Sequence, residues 1–214
     1  MDEIFRNQPR AGRENPGQAV PSCVYLVRHG ETAWSLTGQH TGRTDLALTP
    51  HGEDQARGLE QGLRGVSFAH VFTSPLERAR RTCVLAGFAS RAALDVDLLE
   101  WNYGDYEALT LSQIRRRNPK WELFHDGCPA GESVADVTSR VDRVVTRLRT
   151  LENHVLVFSS GHVLRAFAAR WLEADTALGR NLVLDPATVW VLGYDHDGAD
   201  PVIRRWNQSP REAN

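Results

Sequence analysis

The sequence predicts an α/β domain in which a mostly parallel sheet is covered by helices on both faces, and three observations lead there. From residue 23 onward, short β-rich runs alternate with longer helical patterns, the signature of repeated β-α-β units. One run, HVLVFSS (154–160), is apolar almost throughout, as a central strand of a parallel sheet is. The chain has 214 residues, 41% hydrophobic content and six Trp, four Tyr and seven Phe, which supports one buried core and is too short for two ordinary enzyme domains with a linker.

Each element follows from local pattern. CVYLVR (23–28) reads as a strand, followed by a glycine-rich loop to about Asp45. Thr49 and Pro50 start a helix with Ala56, Leu59 and Leu63 on one face. AHVFTS (69–74) is a second strand; Pro75 opens a helix carrying Ala79, Cys83 and Ala86; ALDVD (93–97) alternates as a third strand. Ser133 caps the longest helix, in which Val134, Val137, Val141, Val144, Leu148 and Leu151 step by three and four. After strand 154–160 come a helix with Leu164, Phe167, Ala168 and Trp171, the strand TVWVLGY (188–194), and VIRRW (202–206) as an edge strand. Residues 1–21 and 207–214 read as polar tails around a domain spanning 22–206.

Charge narrows the chemistry. Lys plus Arg is 25 and Asp plus Glu is 27, so a net charge of −2 gives no overall field to hold nucleic acid or an anionic membrane, and any anion must be caught by a local cluster. Lys120 is the only lysine, so Schiff-base chemistry has one candidate while bidentate oxyanion recognition has many arginines. Cys23, Cys83 and Cys128 are widely spaced and odd in number, which fits neither a disulfide framework nor a paired-cysteine zinc site. No apolar run reaches the ~18 residues of a membrane span. The expectation is a soluble cytoplasmic protein without metal or cofactor; a homodimer is compatible with the sequence, which does not fix the oligomeric state.

Ligands of parallel α/β sheets sit beyond the carboxyl ends of the strands. Three polar clusters fall there: Arg28-His29-Gly30-Glu31-Thr32, Thr73-Ser74-Pro75-Leu76-Glu77-Arg78, and Ser159-Ser160-Gly161-His162. The first puts an imidazole and a guanidinium at a strand end, with Gly30 leaving room for a ligand to approach the backbone. For any single histidine, a satisfied surface residue is the plain alternative.

The match extends past the triplet. LVRHGETAWSLTGQHTGRTDLALTPHG, FTSPLERARRT, LLEWNYGDYEALT, CPAGES and FSSGHVLRAF resemble, in order and spacing, the histidine phosphatase superfamily, its phosphoglycerate mutase-like branch, over roughly residues 23–195. TGQHTGRTDLALTPHG, EWNYGDYE and DGCPAGES are nearest to members that hydrolyse sugar phosphates, including the sedoheptulose bisphosphatase type, and to bacterial acid phosphatases. The resemblance implies a three-layer α/β/α sandwich with a mostly parallel sheet and an antiparallel edge strand. It implies His29 as a nucleophile that forms a phosphohistidine, Arg28 and Arg78 as phosphate-gripping forks, and Glu100 as proton donor. Thr41 and Gly42 match the loop over the substrate, and Tyr103 a substrate-contacting tyrosine. A solvated helix face is the alternative for Arg78, and a surface loop for Glu100.

Three positions depart from that pattern. Ser160 stands where the family carries a second catalytic histidine, so a hydroxyl replaces a charge-bearing donor at the phosphate; His162, two residues on, is either the ordinary downstream residue or a relocated catalyst. Ser35 replaces an asparagine that donates to phosphate, and Ala108 a common glycine. The reading is a phosphomonoesterase for a small phosphorylated metabolite, a sugar phosphate or bisphosphate, weakened by Ser160. The alternatives are a phosphoglycerate mutase-type phosphotransferase, disfavoured because Trp101-Asn102-Tyr103-Gly104-Asp105 brings no positive charge, and a catalytically impaired phosphate-ester binding protein.

Overall fold

Side-chain alternation along the strands decides the layering. The computed structural model of the chain describes residues 22–209 and contains one six-stranded sheet: β1 (Val24–Arg28), β2 (Phe68–Thr73), β3 (Ala92–Leu94), β4 (His154–Ser159), β5 (Val189–Asp195) and β6 (Asp200–Gln208), in the order β3-β2-β4-β1-β5-β6. Val24 and Leu26 of β1 join Val155 and Val157 of β4 in one buried cluster, whereas Val27, Leu156 and Phe158 join another. The period of two sends alternate residues to opposite faces.

Among the described residues seven α-helices accompany the sheet: α1 (Ala33–Thr37), α2 (Pro50–Gly62), α3 (Glu77–Leu85), α4 (Leu111–Arg117), α5 (Leu123–Asp126), α6 (Val134–Arg149) and α7 (Gly161–Trp171). Leu59 of α2 and Cys83 of α3 cover the face of Val27 and Phe158; Val137, Val141 and Val144 of α6 and Leu164 and Phe167 of α7 cover the other. The result is the three-layer sandwich. β1, β2, β3 and β4 pair in parallel, and β5 runs antiparallel to both β1 and the edge strand β6.

Register then sets the site. Arg28 pairs with Ser159, and Thr73 with Phe158, so the residues that follow the three central strands emerge side by side. The backbone N–H of His29 donates to Ser159 (2.9 Å) and that of Ser74 to Phe158 (2.9 Å), carrying the ladder one step beyond the strands.

Several expectations need correction. The helix after β2 begins at Glu77, because Pro75 sits in the turn before it. The third strand ends at Leu94; Asp95 accepts from the Asp97 N–H and turns 96–98 into a 3-10 turn. β6 continues to Gln208, two residues past the boundary drawn at 206. The proposed tail over 1–21, and residues 210–214, lie outside the described residues. The stretch after β1 is not all loop: Thr32 and Ser35 form a reciprocal capping box that starts α1. α4 and α5, which sequence periodicity does not reveal, are started by Thr110, boxed with Gln113, and by Glu122.

Gly30 also has a different reason. A methyl group there would lie 2.3 Å from the Gly52 carbonyl oxygen, so what approaches the strand end is the first turn of α2, not a ligand. Ala108, by contrast, carries a left-handed φ of 64° without being glycine. It holds that conformation because its N–H donates to His40 (2.9 Å) and its carbonyl accepts from Gln39 Nε2 (2.9 Å). Left-handed backbone costs an L-residue ~1–2 kcal/mol, part of which glycine gives back through its freer unfolded chain. Ala108→Gly is therefore expected to stabilise the protein by roughly 0.5–1 kcal/mol, read as a higher urea midpoint at unchanged m-value; an equal or lower midpoint would show that this turn is not strained.

Candidate active site

Beyond the carboxyl ends of β1 and β4 lies a cavity of about 170 Å³, lined by Arg28, His29, Ser35, Gly38, Gln39, His40, Thr41, Glu100, Tyr103, Gly161, His162, Arg165 and Leu184. At ~10–15 Å³ per water centre, that space admits on the order of ten small groups, the scale of a small ester. Of the ten site residues expected from sequence, seven line this cavity: Arg28, His29, Ser35, Thr41, Glu100, Tyr103 and His162. Arg78, Ser160 and Gly42 do not; they pack behind its wall.

His29 is 4% exposed, and its Nδ1 lies 2.8 Å from the Gly30 carbonyl oxygen. A carbonyl can only accept, so Nδ1 carries the proton and Nε2 keeps its lone pair. Burial, then Arg78, then Arg28 hold the imidazole well below its ordinary 6.5, against the opposing pull of the Gly30 bond. The ring is thus neutral, oriented and nucleophilic at Nε2.

Two arginines reach the cavity. Arg28 donates from Nη1 to the Leu184 carbonyl, while its Nε is buried with no hydrogen-bond partner. Arg165, four residues after Gly161 on α7, donates from Nε to Gly179 (2.8 Å) and from Nη2 to Arg180 (2.8 Å) and lies over the Phe124 ring, leaving Nη1 uncommitted. Burial pulls both guanidinium groups below the usual arginine value, and each is offset by Glu100. Cations so placed gain from an anion.

Arg78 is fully buried, which excludes the solvated-face alternative, but it is not free to grip. Nε donates to Ser160 Oγ (3.3 Å), Nη1 to Thr44 (3.0 Å), and Nη2 to the carbonyls of Thr41 and Gly42 (2.9 Å each). One of its five N–H groups remains. Its contribution to the cavity is a field that lowers the His29 pKa and a clamp on the 41–44 loop. Ser160, 0% exposed, faces Arg78 rather than the cavity, and so stands as a positioning partner instead of a wall residue.

Glu100 is 4% exposed. Its Oε1 accepts from the backbone N–H groups of Trp101 and Val163 (2.8 Å each), and Oε2 from His162 N (3.0 Å). The latter two open α7, whose N-cap Ser160 makes no side-chain cap, so a residue sixty positions away supplies it. One lone-pair position on Oε2 remains open.

The remaining wall is aromatic and imidazole. Tyr103, 1% exposed, has its hydroxyl 2.5 Å from His162 Nδ1, and burial followed by Glu100 raises the phenol well above 10.0. The phenol therefore keeps its proton, and His162, held well below 6.5 by burial and Arg165, is neutral; with the phenol as donor its proton sits on Nε2. Ser35 lines the cavity but spends its hydroxyl hydrogen on the Thr32 carbonyl, so it offers a ligand no donor. Gly42 donates its N–H to Glu107, and Thr41 its hydroxyl to Gln39.

Sequence reasoning missed His40, Gln39 and Arg165. The first two lie in the quoted TGQHTG stretch, and Arg165 is one helical turn after Gly161, a spacing that places both on one face of α7. Among the described residues no group of three or more His, Cys, Asp or Glu converges as metal ligands, and no helix is long and apolar enough to cross a membrane.

Comparison with known proteins agrees with this geometry. Residues 24–209 match the model of the histidine phosphatase superfamily, branch 1. The chain is 41% identical over 177 residues to an acid phosphatase of Mycobacterium tuberculosis, covering 81% of this chain and 87% of that one. It is 39% identical over 184 residues to a sedoheptulose 1,7-bisphosphatase of Saccharomyces cerevisiae, covering 71% and 68%. The solved structure of an open reading frame product from Mycobacterium tuberculosis superposes with a TM-score of 0.84 at 37% identity, over 88% of this chain and 98% of the other. With a family match spanning all the strands and the three strand-end clusters in one place, the chain belongs to the histidine phosphatase superfamily, branch 1.

Proposed function

We propose that the protein is a phosphatase that hydrolyses a small phosphorylated metabolite, a sugar phosphate or bisphosphate, through a phosphohistidine on His29. The observation that carries this reading is the pairing of a neutral His29, with its Nε2 unpartnered, and a buried Arg28 whose Nε–H lacks a partner, in one cavity. The names of its relatives, an acid phosphatase and a sedoheptulose bisphosphatase, support the reaction and the substrate class.

The chemistry balances without a metal. His29 Nε2 attacks phosphorus as the ester P–O bond breaks, and the leaving oxygen takes the proton from Glu100 Oε2. Water then attacks the phosphohistidine, returning its proton to Glu100, and inorganic phosphate leaves. Arg28, His162 Nε2–H and the field of Arg78 stabilise the charge spread over the equatorial oxygens. Without an imidazole at Ser160, a neutral donor at His162 replaces a charged one, which slows the reaction without stopping it.

Three measurements test the scheme. His29→Ala is expected to lower turnover of p-nitrophenyl phosphate by ~10³-fold or more, and to abolish an acid-labile, base-stable phosphoprotein trapped during turnover; persistence of that species in the variant would move the nucleophile elsewhere. Glu100→Gln is expected to cost alkyl phosphates ~10²–10⁴-fold, but p-nitrophenyl phosphate far less, since its phenolate leaves without a proton. Equal losses on both esters would reduce Glu100 to its capping role. Because the folded-state pKa of His29 is depressed below 6.5, the nucleophile stays neutral on cooling the pH through that value. The acid limb of kcat/KM is therefore expected below pH 6.5, and a limb centred at or above it would contradict a desolvated nucleophile.

A further inference from the structure

The cavity holds one group that a phosphate has no use for. His40 Nδ1 lies 2.8 Å from the Leu109 carbonyl oxygen, so that nitrogen carries the proton and donates. Burial holds the ring below 6.5, so it is neutral, and Nε2 presents a lone pair with no protein partner among the described residues. The orientation is fixed from several sides. His40 N also donates to Leu109 (2.9 Å), the Ala108 N–H donates to His40 (2.9 Å), and the ring packs edge-on against Tyr103 and Trp121. An ionised phosphoryl oxygen carries no hydrogen to give and would be repelled by that lone pair, whereas a hydroxyl always has one.

His162 is the complement. Its ring stacks on His40 with 5.9 Å between centroids and 5° between planes, and the Tyr103 phenol occupies its Nδ1; with the phenol as donor in that bond, Nε2 carries the hydrogen. Two parallel imidazoles lining the same cavity thus offer an acceptor at His40, fixed by the Leu109 carbonyl, and beside it at His162 a nitrogen that can donate. From this we infer that His40 is a specificity-determining residue that accepts a hydrogen bond from a substrate hydroxyl on the carbon next to the phosphate ester, while His162 donates to the phosphoryl group beside it. The inference rests on the phosphatase reading above and narrows it from phosphate esters in general to polyol phosphates with a vicinal hydroxyl.

The test compares 2-hydroxyethyl phosphate with ethyl phosphate, which differ by that hydroxyl alone. The wild-type protein is expected to favour the hydroxyl ester in kcat/KM by about tenfold, the scale of one neutral hydrogen bond in a built site. His40→Phe is expected to bring the ratio to within about twofold, and His40→Gln, which can again present an acceptor, to recover part of it. General loosening of the 38–42 loop would lower both rates together and leave the ratio where it was. If Phe cannot be accommodated, His40→Leu reads the same ratio. No preference in the wild type, or an unchanged ratio in His40→Phe or His40→Leu, overturns the inference while leaving the phosphatase standing. Hydrolysis of neither ester nor p-nitrophenyl phosphate overturns the phosphatase reading, and this inference with it.

Discussion

The carboxylate of Glu100 is the joint on which the site depends. A helix beginning at a sheet's edge leaves its first N–H groups without acceptors, and α7 has an N-cap whose hydroxyl is turned away to Arg78. Glu100 fills the deficit, taking the N–H groups of His162 and Val163 together with that of its own neighbour Trp101. One buried carboxylate thereby fixes the start of α7, the loop that follows Leu99, and the placement of His162 relative to His29. The loop is gripped again from outside: Arg140 donates to the carbonyls of Asp97 and Leu99, and Glu132, paired with Arg140 at 2.7 Å, accepts from Asn102 N. Breaking a buried pair of this kind leaves an unpaired charge and is costly, which explains how a loop rather than a helix can hold Glu100 in place.

Electrostatics follow from the same burial. Desolvation lowers every imidazole of the cavity, and arginines push His29 and His162 the same way, so His29, His40 and His162 all lie below the ordinary imidazole range. What differentiates them is the second nitrogen. A carbonyl at Nδ1 leaves a lone pair on Nε2 in His29 and His40, whereas a phenol at Nδ1, which can donate, allows a hydrogen there in His162. Chemically identical side chains thus present different faces to the cavity by choice of partner. The cost appears in acid: each neutral imidazole that would take a proton in the unfolded chain lowers stability as pH falls below about 6.5, because the folded state declines that proton.

Much of this was legible in the sequence, and the divide has a physical cause. The parallel strands were readable because their alternation and apolar runs reflect burial on both faces; the register of β1 with β4, which brings Arg28 beside Ser159, comes from the structure. The segment over 100–135 was not. Its helices α4 and α5 have seven and four residues, too short for periodicity, and Trp101, Tyr103, Tyr106, Trp121 and Phe124 bury themselves as an aromatic cluster whose order no local rule gives. Gly30 was read correctly as a close approach and wrongly as to what approaches, since the first turn of α2 comes from a distant part of the chain. His40 carried no signal of its own; its role depends on the Leu109 carbonyl, sixty-nine residues away in sequence.

Ser160 and Arg78 connect these points. An imidazole at position 160 would offer the phosphoryl group a donor and would compete for the same space as the Arg78 Nε contact. A serine hydroxyl instead accepts from Arg78 and leaves the rest of that guanidinium to the carbonyls of Thr41, Gly42 and Thr44. The loop so latched is the one that carries Gln39, His40 and Thr41 into the cavity, and Glu107 secures it further by accepting from Gly42 and Thr44 N–H. Charge that could have gripped phosphate is spent on holding a neutral, shape-defining wall. On the proposed reading the balance moves from strong stabilisation of any phosphoryl group toward recognition of what is attached to it, since a fixed lone pair discriminates between esters in a way that a mobile cation cannot.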